Sequence, residues 1–294
     1  MGHGRNGPEW IIAELGMFSY SLVSVPLYKK LESTTISHII TECEMSTVLV
    51  QDEDTARFVL DSLPASSSLR HLITIRDIRR SEVSQIAADL GVKIVRFSDI
   101  EKWGAGHKLE VAPPAPNNIA VICYSPMMSS DLRPKGVMLS HQNVISAASA
   151  CLLQLGGKKA GQTVTAFLLY YFSESAPTPS DLMISYLPMC HTLERCCQMA
   201  LVLAGGRIGF FCGNMRGLAR DLRDLRPSVV PTVPRVLNRI YEQCTEQARK
   251  HFLTRWIMNS CLNKMMEREF SGVKSQSFWS RLFFRQFRRQ FGKC

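Results

Sequence analysis

The run Thr47-Val48-Leu49-Val50 consists of residues that favour a buried β-strand, and a helical segment precedes it from about Thr35 to Glu42. The same order of helix and then strand recurs twice downstream, at Asp54 to Leu63 with Leu72 to Ile75, and at Glu82 to Leu90 with Val92 to Val95. Parallel strands need crossover connections, and helices supply them. The alternation therefore predicts an α/β fold of mostly parallel sheets flanked by helices.

Outside this repeat, the N-terminal segment predicts a helix from Pro8 to about Tyr20 and a short buried strand from Leu22 to Leu27. The run Val111 to Pro116 cannot form a regular element, because each proline removes a backbone donor. Further strands are predicted at Ile119 to Tyr124, Leu182 to Leu187, Arg207 to Phe211 and Ser228 to Val230. We predict a first α/β subdomain over residues 1–110, a linker over 111–118, a second α/β subdomain over 119–248 and a basic helical segment over 249–294.

The formal net charge of the 294-residue chain is +10, but this charge is concentrated at one end. Residues 249–294 alone carry about +9, so the rest of the chain is close to neutral. No recognised RNA-binding module accompanies the charge, and we expect no nucleic-acid partner.

The chain has enough apolar sequence for a core, at 46% hydrophobic residues, but no run approaches the ~18 apolar residues of a membrane span. Its 10 cysteines have irregular spacing and form no C-x-x-C pair, so neither a zinc site nor a disulfide framework is predicted. We expect a reducing compartment.

A polar segment from Ser125 to Lys135 follows the predicted strand that ends at Tyr124 and precedes a helix that starts near Ser140. Backbone amides, hydroxyls and a lysine in such a loop can form an anion-binding concavity. An ordinary surface loop explains the same residues, so this segment alone leaves phosphate binding open.

The flanks of this loop carry a specific resemblance. Ile122 to Ser125 (I-C-Y-S) and Pro134 to Asn143 (P-K-G-V-M-L-S-H-Q-N) resemble the two ends of the AMP-binding signature of long-chain acyl-CoA synthetases, which are adenylate-forming enzymes. Between them the family has a glycine-rich loop, whereas Pro126 to Arg133 contains no glycine. Because a loop that wraps a triphosphate needs glycine where the backbone takes positive φ, we expect weak ATP binding.

Three further segments carry the same resemblance. Leu187 to Arg195 (L-P-M-C-H-T-L-E-R) is similar to the family's L-P-L-A-H-x-x-E-R motif. Leu225 to Arg239 is similar to its L-x-P-T-x-x-x-x-V-P-R-L-L-N-R stretch, and Pro8 to Leu15 also looks like these enzymes. Without the resemblance, His191 is a capping or core histidine and Arg235 belongs to a solvated or salt-bridged helix start.

The resemblance implies part of the large N-terminal domain of an adenylate-forming enzyme. It also implies a two-step ligation, in which a long-chain fatty acid and ATP give acyl-AMP and CoA then displaces AMP. The altered ATP phosphate loop would comprise Ser125, Ser129, Ser130, Lys135 and Gly136, with Ser125 also contacting Mg²⁺. The acyl substrate site would involve His191, which opens a helix beside the pocket, Glu194 and Arg195, which fix its wall, and Arg235, whose helix borders the fatty acid tunnel.

The basic segment 249–294 also has an aromatic pattern, since Trp279, Phe283, Phe287 and Phe291 recur every four residues. This spacing predicts an amphipathic helix. Its apolar face is either buried in a larger fold or lies on a surface that meets anionic lipid or the phosphates of CoA.

The sequence contains no counterpart of the family's Y-G-x-T-E segment, hinge and C-terminal domain. We therefore expect a piece of a longer ligase that is inactive alone. The resemblance implies that the parent enzyme works at the cytosolic face of a membrane, such as the endoplasmic reticulum or the mitochondrial outer membrane. The alternative is a truncated homologue that binds acyl chains or a full-length partner without catalysis.

Overall fold

The computed structural model describes residues 6–28, 31–64, 66–124, 134–156, 177–215, 217–249, 256, 259, 260 and 263. Contacts divide the chain into two compact units. The first unit is Met1–Ser149 with Pro188–Cys196, and the second is Ala150–Leu187 with Cys197–Cys294. Among the described residues, no helix has both the length and the apolar character needed to cross a membrane.

The helices and strands alternate along the chain, as the sequence predicts. Up to residue 156 they are α1 (Pro8–Ser19), α2 (Ser33–Glu42), β1 (Thr47–Val50), α3 (Glu53–Asp61), β2 (His71–Thr74), α4 (Ser81–Asp89), β3 (Lys93–Arg96), α5 (Phe97–Gly106), β4 (Ile119–Tyr124), β5 (Gly136–Ser140) and α6 (His141–Gly156). From residue 177 onward they are β6 (Leu182–Ser185), α7 (Thr192–Leu203), β7 (Arg207–Phe210), α8 (Leu218–Leu225) and α9 (Pro234–Arg249).

The strands β1, β2 and β3 form a parallel sheet in that order, in which Thr47 pairs with His71 and His71 with Lys93. The three residues after Thr47 in β1 are all buried, as expected for a parallel strand covered on both faces. The sheet and helices α2, α3 and α4 share one apolar core, whose fully buried members include Ile36, Ile39, Val48, Val59, Leu72 and Val83. The predicted parallel α/β arrangement is confirmed here.

The strands β4 and β5 form a separate antiparallel pair in the first unit, and β5 was not predicted from the sequence. Tyr124 at the end of β4 pairs with Gly136 at the start of β5. The two strand ends therefore lie side by side, and residues 125–133, which connect them, fall outside the described residues.

In the second unit, β6 and β7 pair in parallel, with Leu182 opposite Arg207. The side chain of Asp181 accepts hydrogen bonds from Ser228 Oγ at 2.7 Å and from the backbone N–H of Thr178 at 2.7 Å. Burial alone would raise the pKa of Asp181, but these hydrogen bonds and the charge of Arg207 outweigh it and lower that pKa. Asp181 thus links the segment that precedes β6, at Thr178, to the segment that contains Ser228.

Two predicted strands are reduced to single bridges. Within Leu22 to Leu27, only Ser24 forms a β-bridge, with Val121, and Pro26 has no N–H to extend it. Within Ser228 to Val230, only Val229 forms a bridge, with Met183.

Helix α5 was not predicted, because Gly104 and Gly106 are weak helix formers and Phe97 is its one buried residue. The predicted amphipathic helix of Trp279 to Phe291 lies outside the described residues. The division of the chain at residues 111–118 stays a prediction.

Candidate active site

The candidate site is built around the neighbouring ends of β4 and β5, which flank the predicted phosphate loop. Ser125, Ser129 and Ser130 lie outside the described residues. On the other flank, Lys135 is exposed and Gly136 is the first residue of β5. The structure thus brings the two halves of the AMP-binding signature together at one end of a strand pair.

Gly136 has a steric role at this position. A Cβ atom on this residue would lie 2.8 Å from Ile122 Cγ2 and 3.0 Å from Tyr124 Cζ. These distances are shorter than ordinary carbon contacts, so a side chain at residue 136 would displace Ile122 and the ring of Tyr124.

Tyr124 connects β4 to the end of helix α2. Its hydroxyl donates to Glu42 Oε2 at 2.5 Å and lies 3.2 Å from Cys43 Sγ. Because tyrosine has one hydroxyl proton, the Cys43 thiol is the donor in the second contact. Burial, together with the hydrogen bond that the hydroxyl donates to Glu42, raises the pKa of Tyr124 far above its ordinary value. The ring is therefore neutral and fixed at both its face and its hydroxyl.

The stretch Ser140 to Asn143 caps helix α6. Ser140 Oγ accepts from the backbone N–H of Asn143 at 3.2 Å, and Asn143 Oδ1 accepts from the backbone N–H of Ser140 at 3.0 Å. This reciprocal pair resembles a capping box, with Asn in place of Glu or Gln. The His141 ring packs edge-on against Phe18 with the centroids 5.0 Å apart, and burial lowers the pKa of His141.

His191 occupies the position just before α7. Its Nδ1 accepts from the backbone N–H of Leu193 at 3.3 Å, and its carbonyl accepts from the N–H of Arg195 at 3.2 Å. The His191 side chain is exposed, whereas Glu194 is fully buried. The structure therefore shows His191 as the cap of the helix that it was predicted to open.

Arg195 forms a buried ion pair with Glu14 of helix α1. Its Nη2 lies 2.5 Å from Glu14 Oε1, and only 11% of the Arg195 side chain and 5% of the Glu14 side chain are exposed. Ser24 Oγ donates to the same carboxylate oxygen at 2.8 Å. The second terminal nitrogen of Arg195, Nη1, is buried and has no hydrogen-bond partner among the described residues.

Cys123 and Cys190 lie near this ion pair, and Tyr28 lies near the two cysteines. Burial raises the pKa of Cys123, while the charge of Arg195 partly opposes the effect. Burial likewise raises the pKa of Cys190 to about 12 and that of Tyr28 to about 12. These thiols are therefore protonated near neutral pH, which makes them poor nucleophiles.

The described candidate residues fall into two groups. Lys135, Gly136, His191, Glu194 and Arg195 all belong to the first unit. Arg235 belongs to the second unit, where it is exposed in the first turn of α9.

Sequence reasoning missed Glu14, Ser24, Glu42 and the hydroxyl of Tyr124. Glu14 did leave a signal, because it lies one helical turn after Trp10 on the buried face of α1. A carboxylate on a buried helix face needs a polar or charged partner.

Comparison with known proteins identifies the family. Residues 3–280 match the family model described as AMP-binding enzyme. The chain is 33% identical over 291 residues to human long-chain-fatty-acid–CoA ligase 1, covering 98% of this chain and 39% of that protein. It is 31% identical over 291 residues to long-chain-fatty-acid–CoA ligase 5 of Rattus norvegicus, covering 98% of this chain and 40% of that protein. The chain thus spans about two fifths of the length of these relatives.

Solved structures share the fold. The A domain of a carboxylic acid reductase from Segniliparus rugosus, solved with AMP and a carboxylic acid, has a TM-score of 0.66 at 17% identity, covering 84% of this chain and 38% of that one. A long-chain-fatty-acid–CoA ligase from Archaeoglobus fulgidus has a TM-score of 0.52 at 18% identity, covering 76% of this chain and 37% of that one. The family match over most of the chain, with the shared fold, shows that this chain belongs to the AMP-binding enzyme family, as its motifs predicted.

Proposed function

We propose that this chain supplies the phosphate-binding part of an ATP-dependent long-chain fatty acid–CoA ligase. In the reaction, a fatty acid carboxylate attacks the α-phosphorus of ATP to form acyl-AMP and release pyrophosphate, and the thiol of CoA then displaces AMP. The observation that carries the proposal is the shared location of two motifs. The strand ends of the AMP-binding signature and the segment Pro188–Cys196 belong to one compact unit.

The residues suit a reaction that depends on charge stabilisation. The attacking carboxylate is already ionised, so positively charged donors matter more than a general base. In this proposal Lys135 and Gly136 flank the phosphates, together with Ser125, Ser129 and Ser130. His191, Glu194 and Arg195 set the wall of the acyl-adenylate pocket, and Arg235 lies beside the fatty acid.

Magnesium would neutralise the phosphates of bound ATP. Among the described residues, no group of three or more His, Cys, Asp and Glu side chains could hold a metal ion by itself. Mg²⁺ bound to phosphates needs only one or two protein ligands, so this donor set is compatible with Mg²⁺ carried by ATP. Ser125 is our candidate ligand.

The absence of glycine between Pro126 and Arg133 supports weak ATP binding and low turnover by the chain alone. The same observation favours a second candidate function. A homologue that has lost the glycine loop would still bind acyl chains, or a full-length ligase, without catalysis.

We also propose that the basic segment 249–294 contacts the cytosolic face of a membrane, such as the endoplasmic reticulum or the mitochondrial outer membrane. The support is its charge of about +9 and its periodic aromatic residues. Sedimentation of the chain with vesicles that contain anionic lipid, but not with neutral vesicles, is expected. Equal sedimentation with both vesicle types would contradict this proposal.

Binding and turnover measurements on the purified chain test the ligase proposal. We expect palmitate to bind by calorimetry, ATP to bind weakly, and little pyrophosphate release with ATP, Mg²⁺, palmitate and CoA. Replacing residues 126–133 with the family's glycine-containing loop should tighten ATP binding by about tenfold or more, since the phosphates regain backbone donors. Failure of both the native chain and this variant to bind ATP or palmitate would contradict the proposal.

A further inference from the structure

We propose that Tyr124 is a positioning residue for Gly136 and Lys135, and that its hydroxyl acts through the hydrogen bond to Glu42. That Lys135 binds a phosphate rests on the proposed function. The positioning of Gly136 and Lys135 depends only on contacts of Tyr124 within the first unit. Glu42 accepts a hydrogen bond from the Tyr124 hydroxyl, the Tyr124 ring lies against Gly136, and Gly136 is bonded to Lys135.

The hydrogen-bond acceptor, Glu42, belongs to a helix that is firmly packed in the core. Glu42 is the last residue of α2, which buries Ile36, Ile39 and Ile40 completely in the core of the first unit. Glu42 also lies 3.6 Å from His38 Nε2 on the preceding turn. The carboxylate that receives the Tyr124 hydroxyl is therefore attached to a well-packed helix.

The Tyr124 ring acts on the start of β5, at Gly136 and its neighbour Lys135. The ring of Tyr124 and the side chain of Ile122 border the space where a side chain on residue 136 would lie, and Tyr124 and Gly136 are paired across the strands. Pro134 is buried, so the backbone of the exposed Lys135 is held between Pro134 and Gly136. A shift of the ring would move the strand end that carries the lysine.

The hydroxyl is not needed for packing, because phenylalanine would fill the same space. A buried hydroxyl lowers stability unless it is hydrogen-bonded, and Tyr124 is only 4% exposed. Here it bonds to a carboxylate, and hydrogen bonds to ionised acceptors are short and strong. The bond fixes the ring in one orientation over Gly136, which packing alone would not do.

Hydrogen exchange of the purified chain tests the geometric part. In Tyr124→Phe, the amides of Gly136–Ser140 should exchange about tenfold faster, as one hydrogen bond to a charged group is lost, while β1–β3 stays unchanged. Glu42→Gln keeps an acceptor but loses the charge, so its exchange rate should lie between those of the wild type and Tyr124→Phe. Tyr20→Phe is the matched control, since it removes a tyrosine hydroxyl that donates to the carbonyl of Leu109 in the same unit.

Binding of a palmitoyl-adenylate analogue with a sulfamoyl link tests the functional part. Tyr124→Phe should weaken this binding by about fivefold or more, and Tyr20→Phe should leave it unchanged. Unchanged exchange of β5 in Tyr124→Phe would overturn the positioning role. If the wild-type chain did not bind the analogue, the proposed function would fail, and the exchange result would still decide the role of Tyr124.

Discussion

The β1–β3 sheet and the β4–β5 pair are both built from short strands, and Tyr124 of the second packs in the same apolar core as the first, but only the second also has polar contacts at its end. The first is enclosed by fully buried apolar side chains such as Ile39, Val48 and Leu72. At the end of the second, Tyr124 donates a hydrogen bond to Glu42. The buried ion pair of Arg195 and Glu14 lies near Cys123, the residue of β4 that precedes Tyr124. Apolar burial stabilises the fold without demanding one exact geometry, whereas the polar atoms of buried side chains such as Tyr124 and Arg195 are stabilising only when their partners are in position. The contrast indicates that the first region provides stability, whereas the second holds a defined arrangement of side chains around the ligand site that we propose.

The largest effect is expected from Arg195→Met. It leaves the Glu14 carboxylate buried without its cation, and breaking a buried pair in this way costs about 3–5 kcal/mol of unfolding free energy. Urea denaturation measures the loss. Adding Glu14→Gln to the same chain should restore part of it, because the uncompensated charge is removed. A loss below about 1 kcal/mol in the single variant would show that the pair is not buried as described.

Leu72→Ala tests the β1–β3 sheet, which we expect to affect stability but not binding. Leu72 is fully buried, so the substitution should cost about 3 kcal/mol of unfolding free energy through lost burial and a residual cavity. Binding of the acyl-adenylate analogue by the folded fraction should stay unchanged. A change in its dissociation constant would contradict the separation of stability from binding.

Gly136→Ala addresses the close approach of Tyr124. The added methyl group meets Ile122 and the Tyr124 ring, and overpacking of this kind costs about 1–3 kcal/mol. We expect faster exchange of the β5 amides together with the loss of stability. As a control, Gly104→Ala is in open space on an exposed helix and should be neutral or slightly stabilising. Equal behaviour of the two variants would refute the steric role of Gly136.

The smallest effect concerns His141 and pH. Burial lowers the pKa of His141 in the folded chain, so below the unfolded value of about 6.5 the unfolded state binds the proton more readily. The histidine contribution to stability is complete above pH 6.5 or so, falls as the pH drops through that value, and levels off below the folded pKa. Denaturation midpoints of the wild type and His141→Gln at several pH values test this. A parallel pH dependence of the two would contradict it.

The sequence predicted the first region better than the second. The pattern of Thr47 to Val50 and its two repeats identified β1, β2 and β3 to within one residue, because parallel buried strands between helices have a strong local signal. By contrast, β5 was missed. Its first residue is the glycine of the run Pro134-Lys135-Gly136, and only pairing with β4 makes the segment a strand.

The sequence also did not reveal the polar contacts of the site, because the partners are far apart along the chain. Glu14 and Arg195 are 181 positions apart, and Tyr124 and Glu42 are 82 apart, so no local pattern connects them. Motif resemblance assigned Arg195 to the pocket wall and Gly136 to the phosphate loop, but it did not indicate the ion pair with Glu14 or the close approach of Tyr124. Those contacts come from neighbours that only the folded chain supplies.

The most direct test is hydrogen exchange of the wild-type chain with and without the palmitoyl-adenylate analogue. If the second region is the ligand site, protection should appear in Ile119–Tyr124, Gly136–Ser140 and Pro188–Arg195, and β1–β3 should exchange as before. Protection confined to β1–β3, or none at saturating analogue, would contradict the assignment of the β4–β5 end as the site.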